Sequence, residues 1–194
     1  SAQEAYEMIQ EAFEYSEKYG TPVFLRPTTR VCHGYASITV KDETEYTRHQ
    51  PEGFIKDSKR WVIFPRLSFM NHKKIEARNQ ELSDVFSSYE KNKIHPSCDA
   101  FKDSKKGIAT GGISYTYTME TLKKTGMVKT LKIATPHPFP EKLAVDFLSG
   151  LDEVLCLEEL DPVIERELIY ICGKYHLTTR INGKLSGHTA CAGE

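Results

Sequence analysis

The chain has 194 residues, of which 39% are hydrophobic and 27% charged, a balance typical of a globular protein with a buried core. Its 26 basic and 27 acidic side chains leave a net charge of −1. This charge argues against a nucleic-acid-binding protein, because such proteins carry a clustered basic excess. No apolar run approaches the ~20 residues that cross a bilayer, and the first residues do not resemble a signal peptide. We therefore expect a soluble protein without nucleic-acid or membrane partners.

The cysteine pattern predicts free thiols and therefore a reducing, cytoplasmic location. The cysteines are scattered and include no Cys-x-x-Cys pair: Cys32, Cys98, Cys156, Cys172 and Cys191. Neither a zinc site nor an iron–sulfur cluster is predicted from them, and the histidines lack the His-x-x-x-His spacing of metal ligands. We expect no metal site within the chain.

The first 40 residues predict a helix followed by short strands. Ser1 and Glu4 have the spacing of a capping box, which predicts a helix that Gly20 ends. Residues 23–25 form a short apolar run typical of a strand, and the alternation over residues 35–40 favours a second strand.

Residues 41–104 predict a linker and a long helix. Residues 41–53 are charged and almost free of aliphatic side chains, which is typical of a linker. Residues 67–89 have a narrow apolar stripe at helical spacing, which indicates a helix packed against a neighbouring surface. A basic cluster at residues 102–106 is interleaved with acidic residues and predicts a solvated loop.

From residue 105 onward, strands and helices alternate regularly. Strands are predicted at residues 108–110, 128–134, 154–157 and 178–181, and helices at residues 114–124 and 141–149, with a third that Asp161 caps. This alternation predicts an α/β fold with a doubly wound, mostly parallel sheet.

Two turns of this α/β part hold polar residues at strand ends, where such folds bind ligands. The turn formed by Thr110, Gly111, Gly112 and Ser114 offers backbone amides that attract a phosphate, but it is neither a Walker loop nor a dinucleotide fingerprint. A tight structural turn is the favoured interpretation. Glu158 and Glu159 end a strand; acid–base catalysis is one interpretation, and stabilisation of the next helix N-terminus is favoured.

The densest polar group of the chain follows the first predicted strand. Arg26, Thr29, Arg30 and His33 lie within eight residues. Arginine binds a carboxylate through two parallel hydrogen bonds, and histidine titrates near neutral pH. This composition predicts either a substrate-facing loop or a turn stabilised by its own side chains.

Five segments in order resemble one family. They are AFEYSEKYGTPVFLRPTTRVCH (12–33), GIATGGISYTY (107–117), ATPHPFPEKL (134–143), VLCLEELDPVIE (154–165) and GKLSGH (183–188), and the likeness ends at residues 192–194. Together they resemble the α subunit of indolepyruvate:ferredoxin oxidoreductases, members of the 2-oxoacid:ferredoxin oxidoreductases. Each motif alone is weak, but five in the correct order are specific.

The resemblance implies a cytoplasmic enzyme that converts an aryl-2-oxo acid, coenzyme A and oxidised ferredoxin to an aryl-acetyl-CoA, carbon dioxide and reduced ferredoxin. It implies thiamine diphosphate, Mg²⁺ and [4Fe-4S] clusters in the complete enzyme, together with a β subunit. The chain would supply the end of a pyrimidine-binding domain (residues 1–40), a linker with a long helix (41–104) and a transketolase-C-terminal-like domain (105–194).

The family's Gly-Asp-Gly motif and cysteine runs are absent from the chain. We therefore expect an inactive segment that holds no catalytic residue and no bound cofactor. The alternatives are a stand-alone α/β domain that binds a nucleotide or CoA at residues 110–114, and a module that docks subunits.

Overall fold

The computed structural model describes residues 1–46, 48 and 50–191. Residues 47 and 49 of the predicted linker, and residues 192–194 at the end of the family resemblance, lie outside the described residues. The chain divides into two compact units, a first unit Ser1–Arg78 and a second unit Asn79–Glu194. The three-part division at residues 40 and 104 rests on the family resemblance and stays a prediction.

The first helix, α1 (Ala2–Tyr19), begins and ends where the sequence predicts. The Glu4 N–H donates to Ser1 Oγ at 3.2 Å, and Gly20 adopts the left-handed conformation that ends the helix. The Gln3 side chain bonds both backbone groups of Thr39, accepting from its N–H at 2.7 Å and donating to its carbonyl at 3.2 Å. The chain around Thr39 therefore lies along the first turn of α1.

The two strands predicted in this unit are wrong. Residues 23–25 and 35–40 are irregular, Phe24 is 91% exposed and Tyr35 is fully exposed. A strand needs a neighbour to satisfy its backbone groups, and no described residue of this unit belongs to a sheet. A short helix, α2 (Thr29–His33), forms instead of the expected turn.

Two further helices complete this part of the chain. They are α3 (Ser58–Trp61) and the long helix α4 (Pro65–Ser87), which confirms the predicted helix. Pro65 is the first residue of α4, where its missing N–H costs nothing. The boundary between the two units falls inside α4. The described part of the chain contains no helix that is long and apolar enough to cross a membrane.

The second unit contains the predicted parallel sheet. Its parallel strands are β2 (Lys106–Gly111), β3 (Lys129–Ile133), β4 (Glu153–Leu157) and β5 (Arg180–Asn182). A three-residue strand that the sequence did not reveal, β1 (Lys93–His95), pairs with β3 in the antiparallel direction, and the order is β1-β3-β2-β4-β5. The predicted α/β fold with a mostly parallel sheet is confirmed.

Three helices connect these strands and cover both faces of the sheet. They are α5 (Gly112–Thr125), α6 (Glu141–Leu148) and α7 (Val163–Lys174). Phe147 of α6 and Leu168 of α7 pack with Leu131 and Val154 of the sheet in one buried cluster, which contains no α5 residue. Thr110 and Thr130 alternate with the cluster residues along their strands and therefore face α5.

Asn92 connects the end of α4 to the segment after β3. Its Oδ1 accepts from the N–H groups of Ala134 at 2.7 Å and Thr135 at 3.1 Å. Its Nδ2 donates to the Phe86 carbonyl at 2.9 Å and to Thr135 Oγ1 at 2.6 Å. All four hydrogen bonds form with the side chain almost fully buried, so their loss leaves polar groups without water or protein partners.

We expect Asn92→Ala to lower the free energy of unfolding by about 2–3 kcal/mol, because each unsatisfied buried group costs about 1–3 kcal/mol. Gln80→Ala, at an exposed position of α4, is the control and should change the value by less than about 0.5 kcal/mol. Urea unfolding followed by circular dichroism measures both. Equal effects of the two substitutions would contradict the bridging role of Asn92.

An ion pair joins α6 to α7. Lys174 Nζ lies 2.5 Å from Glu141 Oε1, and the Glu141 side chain is 14% exposed. Burial acts to raise the pKa of Glu141, but hydrogen bonds from Lys174 and Tyr175 outweigh it and lower the pKa below its usual value. The ionised carboxylate therefore stabilises the fold above the unfolded-state pKa, and this stabilisation is lost as the pH falls through the lower folded-state pKa.

We expect Glu141→Gln to destabilise the protein by about 1 kcal/mol at pH 7, since charge-assisted contacts of partly exposed pairs have this order of magnitude. The difference from the unmodified protein should shrink as the pH falls below the unfolded-state pKa of about 4.3, and it should vanish below the lower folded-state pKa of Glu141, where both states are protonated. Glu120→Gln is the matched control, because its pair with Lys124 is exposed and lies within one helix. A pH-independent loss for Glu141→Gln would refute the linkage.

Candidate functional site

The segment with the four predicted substrate-facing residues lies at the surface. Arg26, Thr29, Arg30 and His33 are all exposed. Arg30 and His33 are three residues apart on α2, and Thr29 and His33 are four apart, so these three share one face of the helix. Arg26 precedes the helix.

The two guanidinium groups of this segment carry no internal ion pair. Neither Arg26 nor Arg30 has a hydrogen-bond or ion-pair partner among the described residues. The backbone at Gly34 lies close to the end of α2. A Cβ at this position would be only 2.7 Å from the Arg30 carbonyl oxygen. The arrangement presents two cations and an imidazole to solvent, and the substrate-facing role of these residues stays a prediction.

The turn between β2 and α5 has a geometry that only glycine fits well. A Cβ on Gly111 would lie 2.7 Å from the Ile133 carbonyl oxygen, and Gly112 has a positive φ of 58°. The helix begins at Gly112, two residues before the predicted start at Ser114. These observations explain both glycines by steric needs of the backbone.

An anion site at the same turn remains a prediction. The first turn of α5 has no side-chain cap, and the Ser114 carbonyl oxygen accepts from Thr118 Oγ1 at 2.8 Å. Thr110 is fully buried and its Oγ1 has no hydrogen-bond partner among the described residues. The geometry therefore leaves the helix N–H groups available, which is the property that attracts an anion.

Glu158 caps α7, and the prediction that Asp161 does so is wrong. The Glu158 carboxylate accepts from the N–H groups of Ile164 at 2.8 Å and Glu165 at 3.0 Å, whereas no side chain of the two residues before the helix serves as its cap. The turn between Glu158 and Pro162 brings the earlier carboxylate back over the helix end. Burial raises the pKa of Glu158, and the two N–H bonds oppose this shift. The favoured structural interpretation of Glu158 is confirmed.

A fully buried carboxylate, Glu165, was not predicted from the sequence. It is fully buried, and its Oε2 accepts from the Leu185 N–H at 3.0 Å. A Cβ on Gly183 would lie 2.6 Å from the Glu165 carboxyl carbon, so the loop after β5 closes tightly over this group. Glu165 lies three residues before Leu168 and seven before Cys172, which places it on the apolar stripe of α7. This spacing was the sequence signal that could have predicted its burial.

The loop after β5 is held by its own polar groups. Ser186 Oγ accepts from the Gly183 N–H at 2.7 Å and lies 2.9 Å from His188 Nδ1. Lys184 Nζ donates to the Ala190 carbonyl at 2.5 Å. Since the parallel strands end at one edge of the sheet, this loop, Glu158 and the glycine turn share that edge. Most of their polar groups are engaged in stabilising the fold.

A cleft of about 640 Å³ opens at the opposite edge of the sheet. Its lining includes Ile94, Lys102, Lys105, Lys129, Ser149 and Leu151. Lys129 Nζ donates to the Phe147 carbonyl at 2.7 Å, which completes the hydrogen bonding at the end of α6, and burial lowers the pKa of Lys129. Lys102 and Lys105 of the predicted solvated loop thus line the cleft together with Asp103, and the net positive charge that remains favours anions.

The residues that the structure describes do not fit the metal groups implied by the family resemblance. Among them, no three His, Cys, Asp or Glu side chains lie close enough to hold one metal ion. The cysteines are free and lie in separate elements, and burial raises the pKa of the Cys156 thiol, which opposes thiolate formation. No chemical step is therefore assigned to a metal or cluster in this part of the chain.

No family model matches the chain. Among curated proteins, it is 36% identical over 187 residues to the indolepyruvate oxidoreductase subunit IorA of Methanothermobacter thermautotrophicus, which covers 95% of the chain and 29% of the relative. It is 34% identical over 189 residues to IorA of Pyrococcus abyssi, covering 95% of the chain and 28% of the relative. For IorA of Thermococcus kodakarensis the identity is 36% over 177 residues, covering 87% of the chain and 26% of the relative.

The chain spans less than a third of the length of these relatives, yet the similarity runs through both of its units. The order of the motifs, the confirmed α/β fold and the similarity over nearly the whole chain agree. Over the segment that it spans, the chain belongs to the family of the indolepyruvate oxidoreductase subunits named IorA.

Proposed function

We propose that the chain is a segment of the α subunit of a thiamine-diphosphate-dependent indolepyruvate:ferredoxin oxidoreductase. The observation that carries this proposal is the 36% identity over 187 residues to a protein named indolepyruvate oxidoreductase subunit IorA. Because the chain spans 29% of that relative, the activity belongs to the longer protein. The segment itself is inactive in this proposal.

The proposed reaction converts an aryl-2-oxo acid and coenzyme A to an aryl-acetyl-CoA and carbon dioxide, and two electrons pass to oxidised ferredoxin. In the complete enzyme, thiamine diphosphate with Mg²⁺ would supply the electron sink for decarboxylation, and [4Fe-4S] clusters would supply the electron-transfer chemistry, all outside this segment. A β subunit and ferredoxin are the proposed protein partners, in the cytoplasm. The segment supplies structure and, through α2, contacts near the substrate.

The test is to purify the complete two-subunit enzyme without oxygen and to measure ferredoxin reduction with indolepyruvate. We expect reduction that depends on coenzyme A and on added thiamine diphosphate, with aryl-acetyl-CoA as the product. The 194-residue chain alone should reduce nothing under the same conditions. Activity that needs neither coenzyme A nor an oxo acid would overturn the proposed function.

The role of Arg30 follows from the charge and accessibility of α2. A substrate carboxylate needs a fixed cation, and a guanidinium offers two parallel donors where an ammonium offers a point charge. Arg30 is exposed and has no protein partner among the described residues, and His33 lies one turn further along the same face. We infer that Arg30, with Thr29 or His33, contacts the carboxylate of the oxo acid, and Arg26 is the alternative contact.

We expect Arg30→Ala in the complete enzyme to lower kcat/KM for indolepyruvate about 10- to 150-fold, since a charge-assisted hydrogen bond contributes about 1.5–3 kcal/mol. Arg30→Lys should recover part of the loss, because the positive charge remains but the two parallel donors of the guanidinium do not. Arg48→Ala, which removes an exposed arginine paired with Glu43, is the matched control and should keep full activity. Unchanged kcat/KM for Arg30→Ala, with unchanged stability, rules out the contact.

A further inference from the structure

An apolar surface on the first unit remains uncovered. Within residues 54–70 every large hydrophobic side chain except the half-buried Leu67 is exposed, Phe54 by 83% and Phe64 by 67%. We call this set the aromatic patch: Phe54, Ile55, Trp61, Val62, Ile63, Phe64, Phe69 and Met70. Not one described residue of the first unit is buried. Scattered exposed apolar residues are ordinary, but eight within 17 residues mark an interaction surface.

Local contacts hold part of the aromatic patch in place. The rings of Phe54 and Trp61 stack with centroids 6.3 Å apart, and Trp61 Nε1 donates to the Ile55 carbonyl at 2.7 Å. The Arg60 guanidinium lies 4.6 Å from the centre of the Trp61 ring. The Trp61 side chain is thus oriented before any partner binds, which lowers the entropic cost of binding.

Positive charge surrounds the apolar side chains. Residues 54–74 contain six lysines and arginines but one acidic residue, Asp57, in a chain that is nearly neutral as a whole. Lys56, Lys59 and Arg66 form no ion pair with any described residue. Trp, Phe, Met and Arg are the residue types enriched at the centres of protein interfaces. The aromatic patch is therefore complementary to a partner surface that has an apolar centre and an acidic rim.

We propose that the aromatic patch is covered by polypeptide of the same subunit that lies outside the segment spanned by this chain, through an apolar surface with an acidic rim. This inference rests on the proposed function, in which the chain is part of a longer subunit. The curated relatives are more than three times as long as the part that matches, so the polypeptide required for such a surface is present in them. A second copy of the chain fits poorly, because two such patches would bring like charges together.

The test compares amide hydrogen exchange of residues 54–70 in the isolated 194-residue chain, in the full-length subunit alone, and in the subunit assembled with its partner. We expect fast exchange in the isolated chain and at least about tenfold slower exchange in the full-length subunit without its partner. Protection that appears only in the assembled enzyme, or in the isolated chain on dimerisation or with anionic vesicles, would overturn the proposal. So would the absence of protection everywhere.

Charge reversal gives a second measurement that does not alter the apolar side chains. Lys56→Glu with Lys59→Glu in the full-length subunit should restore fast exchange over residues 54–70. Lys123→Glu with Lys124→Glu, at exposed positions of α5, changes the net charge equally and should leave that protection intact. Equal behaviour of the two double variants would contradict the acidic rim.

Ferredoxin reduction by the same preparations separates the two proposals. A protected patch in a full-length protein that does not oxidise indolepyruvate upholds the covered surface and overturns the proposed function. An active enzyme with an unprotected patch upholds the proposed function and overturns the covered surface. The single tryptophan of the isolated chain, Trp61, adds a direct check, because acrylamide should quench its fluorescence readily there.

Discussion

Backbone N–H and C=O groups at the ends of helices and strands must find partners, and in the second unit side chains from other elements supply them. Asn92 bonds the chain after β3, Glu158 bonds the first turn of α7, and Lys129 bonds the last carbonyls of α6. Each of these side chains belongs to a segment other than the one whose backbone groups it bonds. It therefore joins two parts of the fold and also satisfies backbone groups at the end of an element. Apolar packing is non-directional, and these polar contacts give the sheet and its helices a defined arrangement.

The same requirement explains the irregular first unit. Residues 23–25 and 35–40 have the composition of strands, but they have no neighbouring strand among the described residues, and Thr39 bonds a glutamine side chain instead. Not one described residue of this unit is buried, and Phe24 and Phe64 stay at the surface. The proposed covering polypeptide would bury the aromatic patch, which this unit leaves exposed.

The chemistry available to the chain follows from which polar groups the fold already uses. At the carboxyl edge of the sheet, Glu158 and Glu165 accept backbone hydrogen bonds, and steric needs explain Gly111. Cationic groups without internal partners lie elsewhere, on and beside α2. In the proposed function, these cationic groups supply substrate contacts of a larger enzyme.

The sequence by itself determined the α/β architecture, the long helix α4 and the family, because hydrophobic periodicity and ordered motifs are local properties of the chain. Tertiary structure alone decided the antiparallel strand β1, the loss of the strands at residues 23–25 and 35–40, and the replacement of Asp161 by Glu158 as a cap. Glu165 likewise became a buried loop anchor only through Gly183, which lies 18 residues further along the chain. Strand pairing and burial depend on residues distant in sequence, and a local pattern carries no information about those partners.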